Sequence, residues 1–482
     1  MSRVYNPETV SEVRDIVRQT SRAGRMLKVV STDRNWGYRF PDSLPENTDL
    51  LHMGRLAAIR NVEKISATHP VALIEAGVTQ GQLADTLAAR KLPLFVNVTG
   101  SARDTSVIGN GLDGGIGYFG SRREDLFGLE VVLPDGEMLY TGMRSAGDAE
   151  PLALLQKYGP GPHLDGMFYQ SSAGVVVSAC TQLRIRPPVQ VALSINLRPG
   201  QCFMRFIDSL AALRRSDILT NVIHVGNRAR THSTLLPAVR RQLAALGLAT
   251  ADLEAESQAT LALLGTDEWS ALVGVGGTRR QVAAIVHEVQ QVMKAQARVR
   301  VVSAARLKVG KKLTGWLSGI PIARRAQALL RALEPLQGLA VGTPTDAAVQ
   351  SLLDDANESS VAPRDLDHSR VGIFYMSPIM PLDGEAIQQT LNLLQGCAAR
   401  HGFTAYVTVN IESRLTAIAV TNILFDRTEP AEQARAEGCV DEMYRELAAC
   451  GLEVYRAHTR TAKLMRRPNE TTLSVCKKVE AS

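Results

Sequence analysis

With 482 residues the chain is too long for one ordinary core and calls for two or three domains. Hydrophobic residues at 45% and charged residues at 21% give the balance of a soluble globular protein. Its 54 Lys and Arg exceed 48 Asp and Glu by a mild +6, and the basic residues are scattered without interleaved aromatics, which argues against a nucleic-acid groove.

The chain opens with Pro7, a Thr9–Glu12 pair spaced like a capping box, and Val10, Val13, Ile16 and Val17 on one helical face, so residues 7–27 read as a helix. Strands are expected at 28–30 and 49–53, a strand and turn at 72–79, a helix at 80–91 and a strand at 93–98. Residues 99–122 are glycine-rich and show neither strand-like alternation nor an amphipathic period. An apolar strand at 129–133 ends at the Pro134-Asp135-Gly136 turn, with its hairpin partner at 138–141. A further loop and strand at 166–187 close at Pro187-Pro188, the first expected domain boundary. Beyond it, helical patterns rich in Ala, Leu, Arg and Gln cover 203–215, 236–264, 278–296, 322–334 and 430–451. Strand-like pieces lie at 191–197, 270–274, 371–376 and 405–409. The pattern is α+β throughout, with a second domain of helices on an antiparallel sheet.

Six cysteines show no CxxC and no metal-ligand spacing, and read as free, mostly buried thiols in a reducing compartment. No basic-then-apolar leader and no run of 18 apolar residues is present, so a cytoplasmic protein with no membrane span and no metal is expected.

Residues 109–120 hold six glycines and a formal GxGxxG at Gly109, Gly111 and Gly114. A Rossmann turn needs a helix starting right after the loop, whereas Gly115, Gly117 and Gly120 follow and each weakens a helix by about 1 kcal/mol. Backbone without side chains does let N–H groups approach an anion closely, and Thr99, Thr105, Ser106 and Asn110 add further donors. A pyrophosphate-binding loop and a plain glycine-rich turn both fit this segment taken alone.

Several ordered segments point further. Val29 to Arg39, containing Ser31-Thr-Asp-Arg-Asn-Trp-Gly-Tyr38, resembles the first phosphate loop of the vanillyl-alcohol oxidase and p-cresol methylhydroxylase family. Ser106 to Asn110 with Gly115 to Tyr118 resembles its second loop, Gly128 to Glu137 the strand-turn that follows, and Gly161 to Val176 its Gly-Pro-x-Leu-Asp-Gly segment. Gly342 to Thr345 and Ser377-Pro378 resemble landmarks of its cap. The resemblance implies an α+β fold: a two-subdomain FAD-binding domain over 1–188, an α+β cap domain with an antiparallel sheet over 189–428, and a shortened C-terminal segment over 429–482 returning towards the FAD domain. It implies that Ser31, Thr32, Asp33, Arg34, Asn35, Trp36, Gly37 and Tyr38 cradle the pyrophosphate. Ser106, Gly109, Asn110, Gly115, Val175 and Val176 would line the adenosine and flavin path, with Thr99, Gly100, Ser101, Thr105, Asp113 and Gly174 beside them.

The residues also depart from the family. Ser101 stands where phenol-oxidising members carry an aspartate, and Val71 where they carry a tyrosine. The chain ends at Lys478-Val-Glu-Ala-Ser482 without the family's tail, so most of the phenolate-binding set, which includes a C-terminal Tyr-Arg pair, is expected to be missing. Val409 to Ile418 lacks the histidine or tyrosine that links FAD covalently, which implies non-covalent FAD. Replacement catalytic candidates are Tyr118, Tyr169, Tyr375, His224 and Arg414, with Asn227, Arg103 and Asp104 nearby. For each tyrosine the plain alternative is a packed ring with a satisfied hydroxyl, and for His224 a core or surface imidazole. The expected function is FAD-dependent oxidation of a small organic substrate, phenolic or from a specialised route. Oxygen or an electron-acceptor protein would be the partner, and a homodimer is one assembly open to it. The rival expectation is a redox-silent flavin-binding protein or non-catalytic subunit.

Overall fold

The computed structural model describes residues 2–34, 36–38, 44–147, 152–265, 268–317, 319–456 and 461. The first helix, Val10–Arg22, starts where Thr9 accepts a hydrogen bond from the Glu12 amide at 3.2 Å. Glu12 reaches back to the Glu8 amide at 2.7 Å rather than to Thr9, so the reciprocal half of the cap is shifted by one residue. Val13 and Val17 are buried on this helix and share a core cluster with Leu51 and Met53. The short strand Val4–Tyr5, Thr48–His52 and Met26–Val30 form a three-stranded parallel sheet. A second, antiparallel sheet orders Val71–Glu75, Val175–Gln182, Leu126–Val132 and Met138–Tyr140, the last two being the hairpin expected around the Pro134-Asp135-Gly136 turn.

The glycine-rich stretch differs from its reading as irregular chain. Residues Val107–Leu112 form a helix, with the Ser106 hydroxyl accepting from the Gly109 amide at 2.9 Å. Two of the GxGxxG glycines therefore lie inside a helix, which is not a Rossmann turn. Their cost in helix propensity is offset by packing: a Cβ on Gly109 would press into Ser31, and one on Gly111 into Leu126.

The remaining strands form one nine-stranded sheet in which every pairing is antiparallel. Its order is Ala297–Val302, Val189–Leu197, Trp269–Gly277, Ile223–Asn227, Tyr406–Ile411 and Thr416–Asp426. Both Val371–Met376 and Pro378–Pro381 pair with the far edge of Thr416–Asp426, and Glu453–Val454 pairs with Pro378–Pro381. Successive strand residues point to opposite faces. Val191, Leu193, Ile195, Ile223, Val225, Val407 and Val409 enter a large apolar core with the helices Phe203–Arg215, Arg279–Met293, Gly384–Arg400 and Pro430–Ala449. Their neighbours Ala192, Ser194, Asn196, His224, Thr408 and Asn410 face a cavity. The expected helical stretch 236–264 is two helices, Arg228–Ala245 and Leu253–Ala262, parted at Gly247, whose φ of 82° is the left-handed helix end that glycine favours. Helix Gly384–Arg400 and strand Thr416–Asp426 lie where no clear element was expected.

Among the described residues no helix is long and apolar enough to cross a membrane. Of the five described cysteines, Cys180, Cys397 and Cys439 are buried and Cys202 and Cys450 exposed.

Gly274 sits on the cavity face of its strand, and a Cβ there would clash with the Ala340 carbonyl oxygen at the end of helix Pro321–Ala340. Glycine is what lets this helix close on the sheet. We expect Gly274→Ala to lower stability by about 1–3 kcal/mol. Urea unfolding measures it; an unchanged midpoint would show that the contact is dispensable.

Candidate active site

A cavity of about 1170 Å³ runs between the glycine-rich loops and the cavity face of the nine-stranded sheet. Sites for one drug-sized ligand occupy roughly 300–1,000 Å³, so there is room for more than one small molecule. One half is lined by Ser31, Thr32, Asp33, Arg34, Trp36, Tyr38, Thr99, Gly100, Ser101, Thr105, Ser106, Gly109, Asn110, Asp113, Gly115, Gly174, Val175 and Val176. The resemblance named these residues, and the structure brings them to one wall. Asn35 lies outside the described residues. Gly37 is not on the wall; its φ of 75° and missing side chain make room for the Tyr375 ring.

Local chemistry clasps the two loops together. The Ser106 amide donates to Thr32 Oγ1 at 3.2 Å, and the Ser106 hydroxyl donates to the Ala76 carbonyl at 2.7 Å. Fully buried Gln80 holds residues 99–102: its Oε1 accepts from the Thr99 amide at 3.1 Å, and its Nε2 donates to the Ala102 carbonyl at 2.8 Å. Ser101 Oγ pairs with Thr105 Oγ1 at 2.7 Å. Two buried donors on this wall, Arg34 Nε and Trp36 Nε1, have no hydrogen-bond partner among the described residues. Buried donors are normally satisfied, so they ask for acceptors from a ligand. Close backbone approach, hydroxyls and unmet donors fit an FAD pyrophosphate and ring system.

The opposite half is the sheet face. His224 pairs across the strands with Leu272 on one side and Asn410 on the other. Its Nδ1 lies 2.6 Å from Asn410 Oδ1, while the Asn410 amide nitrogen faces the Thr408 and Ile418 carbonyls at 3.4 and 3.5 Å. That orientation makes Oδ1 the acceptor and assigns the proton to Nδ1. Nε2 is then a lone pair, buried and without a partner among the described residues. Burial pushes the imidazole down to about 4, against a weaker opposing effect of the Asn410 hydrogen bond, so it is neutral at pH 7. The Tyr118 ring lies 4.1 Å from the His224 ring, and burial pushes its hydroxyl up to about 12. Tyr375, 4.9 Å from Tyr38, is likewise pushed up to about 12 by burial. Both tyrosines are neutral hydrogen-bonding groups at pH 7.

Two sequence candidates lie elsewhere. Tyr169 is turned away from the cavity, with its hydroxyl donating to the Arg123 and Leu126 carbonyls at 3.0 and 3.3 Å: the satisfied, packed tyrosine. Arg414 stands on an exposed turn, paired with Asp217, off the cavity wall. Asn227 caps helix Arg228–Ala245, and Arg103 pairs with Asp85 at 2.6 Å; neither lines the cavity, nor does Asp104.

Three residues were missed. Tyr455 and Arg456 follow the last described strand directly and reach the cavity, contrary to the expectation that a Tyr-Arg pair was missing along with the tail. The Arg456 guanidinium lies 4.1 Å from the Tyr38 ring centre and 2.5 Å from Asp113. The Tyr38 hydroxyl meets those of Tyr455 at 3.2 Å and Ser377 at 3.3 Å. The signal was a Tyr-Arg dipeptide just after an apolar residue, legible only if residues 453–454 are read as a strand. Arg230 also lines the cavity, from the first turn of its helix.

Residues 1–142 match the family described as FAD binding domain. The chain is 28% identical over 470 residues to 1'-carboxy-chondrochloren decarboxylase of Chondromyces crocatus, covering 94% of this chain and 83% of that protein. It is 24% identical over 457 residues to the 4-cresol dehydrogenase [hydroxylating] flavoprotein subunit of Pseudomonas putida, covering 94% and 79%. It shares its fold with 4-ethylphenol oxidase from Gulosibacter chungangensis, solved as an isoeugenol complex, with a TM-score of 0.79 at 21% identity over 99% of this chain and 86% of that one.

The His224 shift carries a pH signature. Unfolded, the imidazole takes up a proton near 6.5, but folded only near 4. Its contribution to stability is therefore complete above pH 6.5 and is lost as pH falls towards 4. Histidine-selective NMR is expected to find one of the nine imidazoles in the Nδ1–H form down to about pH 4. Nine ordinary titrations near pH 6–7 would refute the assignment. We also expect Gln80→Leu, which strands the Thr99 amide and the Ala102 carbonyl, to cost about 2–4 kcal/mol in urea unfolding.

Proposed function

Because the chain is a flavoprotein of the vanillyl-alcohol oxidase and p-cresol methylhydroxylase family, and so an FAD-dependent oxidoreductase, we propose that it oxidises a small organic substrate bound between the flavin and the sheet face around His224. The observation that carries this reading is the unpartnered Nε2 of a neutral histidine in the cavity. Ser31 to Arg34, Ser106 and Asn110 would hold non-covalent FAD. When bound, FAD supplies the two-electron acceptor for a hydride leaving the substrate.

The chain's own residues do the rest. His224 Nε2 accepts the proton of a substrate O–H or N–H, and Asn410 holds the ring in the tautomer that leaves Nε2 free. Tyr118 and Tyr375 remain protonated and hydrogen-bond a substrate oxygen. The Tyr38, Tyr455 and Ser377 hydroxyls form a second polar point under the Arg456 charge. Val175, Val176 and Leu272 line the same cavity and shield it from water.

The two curated relatives are named for different substrates, 1'-carboxy-chondrochloren and 4-cresol. A specialised-metabolite substrate belongs to this proposal. So do reoxidation by oxygen or an electron-acceptor protein, a homodimeric assembly, a cytoplasmic setting, and a division of the chain at Pro187-Pro188 between a cofactor half and a substrate half.

Anaerobic mixing with 4-alkylphenols and aryl-substituted acids should bleach the bound flavin with one of these classes. In that assay His224→Gln should slow bleaching by about 10²–10⁴ while keeping its FAD. An undiminished bleaching rate in the variant removes His224 from the chemistry. A wild-type protein that yields no flavin on denaturation removes the whole reading.

A further inference from the structure

The substrate half of the cavity carries positive charge without negative charge. Arg230, Arg300 and Arg306 line it, and among the described residues the aspartates on the wall, Asp33 and Asp113, both belong to the FAD half. Arg300 donates to the Leu264 carbonyl and Arg306 to the Val301 carbonyl. Arg230 differs: its guanidinium makes no hydrogen bond and no ion pair among the described residues. Its charge nevertheless acts on both Tyr118 and Tyr375, which line the same cavity. The backbone of Arg230 is fixed, its amide donating to Asn227 Oδ1 at 2.9 Å in the cap of helix Arg228–Ala245.

A part-buried cation with no counter-ion is costly unless a ligand supplies one. Guanidinium presents a planar fork matched to carboxylate. The wall beyond Arg230 is apolar: Leu235 comes from helix Arg228–Ala245, Leu329, Leu333 and Leu336 from helix Pro321–Ala340, and Leu264 from the turn after helix Leu253–Ala262. We propose that Arg230 anchors the carboxylate of an organic acid whose extended apolar body lies in the leucine-lined arm. This rests on the reading of the cavity as a flavin-dependent active site and names the substrate class it takes.

The test measures binding rather than turnover. FAD-loaded protein is titrated with ω-phenylalkanoates of increasing chain length and with the matching carboxamides, following the flavin difference spectrum. Wild type should bind each acid at least tenfold more tightly than its amide. Arg230→Gln should bring that ratio to about one and Arg230→Lys should leave it intermediate, with FAD content and amide affinity unchanged in both. Leu333→Trp should abolish the gain in affinity with chain length but preserve the acid preference for the shortest member. An acid preference that survives Arg230→Gln overturns the assignment, as does wild type with full FAD that shows no acid preference or binds none of the probes. Protein that purifies without flavin instead brings down the reading of the site itself, so the two failures are told apart.

Discussion

The site depends on the two-residue period of one sheet. Every strand of the nine-stranded sheet that crosses the cavity sends alternate residues into an apolar core, and the residues between them are left facing the glycine-rich loops. Ile223 and Val225 anchor a strand whose intervening residue is His224, and Val407 and Val409 do the same for Thr408 and Asn410. A slip of one residue would turn His224 into the apolar core and its apolar neighbours towards the cavity, so the hydrophobic pattern that holds the fold also fixes the register of the chemistry. The His224–Asn410 hydrogen bond is a cross-strand pair produced by that register, and it sets which ring nitrogen is free.

The facing wall is held differently. Its segments are short and glycine-rich, with little side chain to pack, so buried polar groups do the holding. Gln80 satisfies the chain around 99–102, and Ser106 ties the second loop to the first. Both use hydrogen bonds in low-dielectric surroundings, where an unmet partner is expensive. The glycine-rich wall and the polar sheet face thus arise from two separate devices that meet across one cavity.

The charges follow the same division. Asp113 pairs with Arg456, which covers Tyr38, and this contact brings residues 455–456 onto the wall of the glycine-rich loops. Arg230 has no such carboxylate among the described residues, and its charge acts on two neutral tyrosines. Ion pairing therefore separates Arg456, which is paired with Asp113, from Arg230, which the described residues leave unpaired.

The sequence by itself determined the α+β pattern, most of the long helices and the two loop segments proposed to hold the cofactor, because each is written in adjacent residues: the apolar period of 203–215, Ser31 to Tyr38, the glycines of 109–120. Tyr118, Tyr375 and His224 were also legible as candidates, Tyr118 on a matched segment and the other two in the cap. Only the tertiary structure decided among them. Tyr169 sits one residue from cavity-lining Phe168 and Gln170 yet turns its hydroxyl onto backbone carbonyls, and Arg414 is spent on Asp217 at the surface. Tyr455 and Arg456 reach the site because the two-residue strand Glu453–Val454 pairs with Pro378–Pro381, a pairing across more than seventy residues that leaves no local period to read. The physical reason is range. Helix periodicity and close-approach glycines act between neighbours in the chain, whereas an imidazole tautomer, a missing counter-ion and the direction of a hydroxyl are set by partners that only folding brings together.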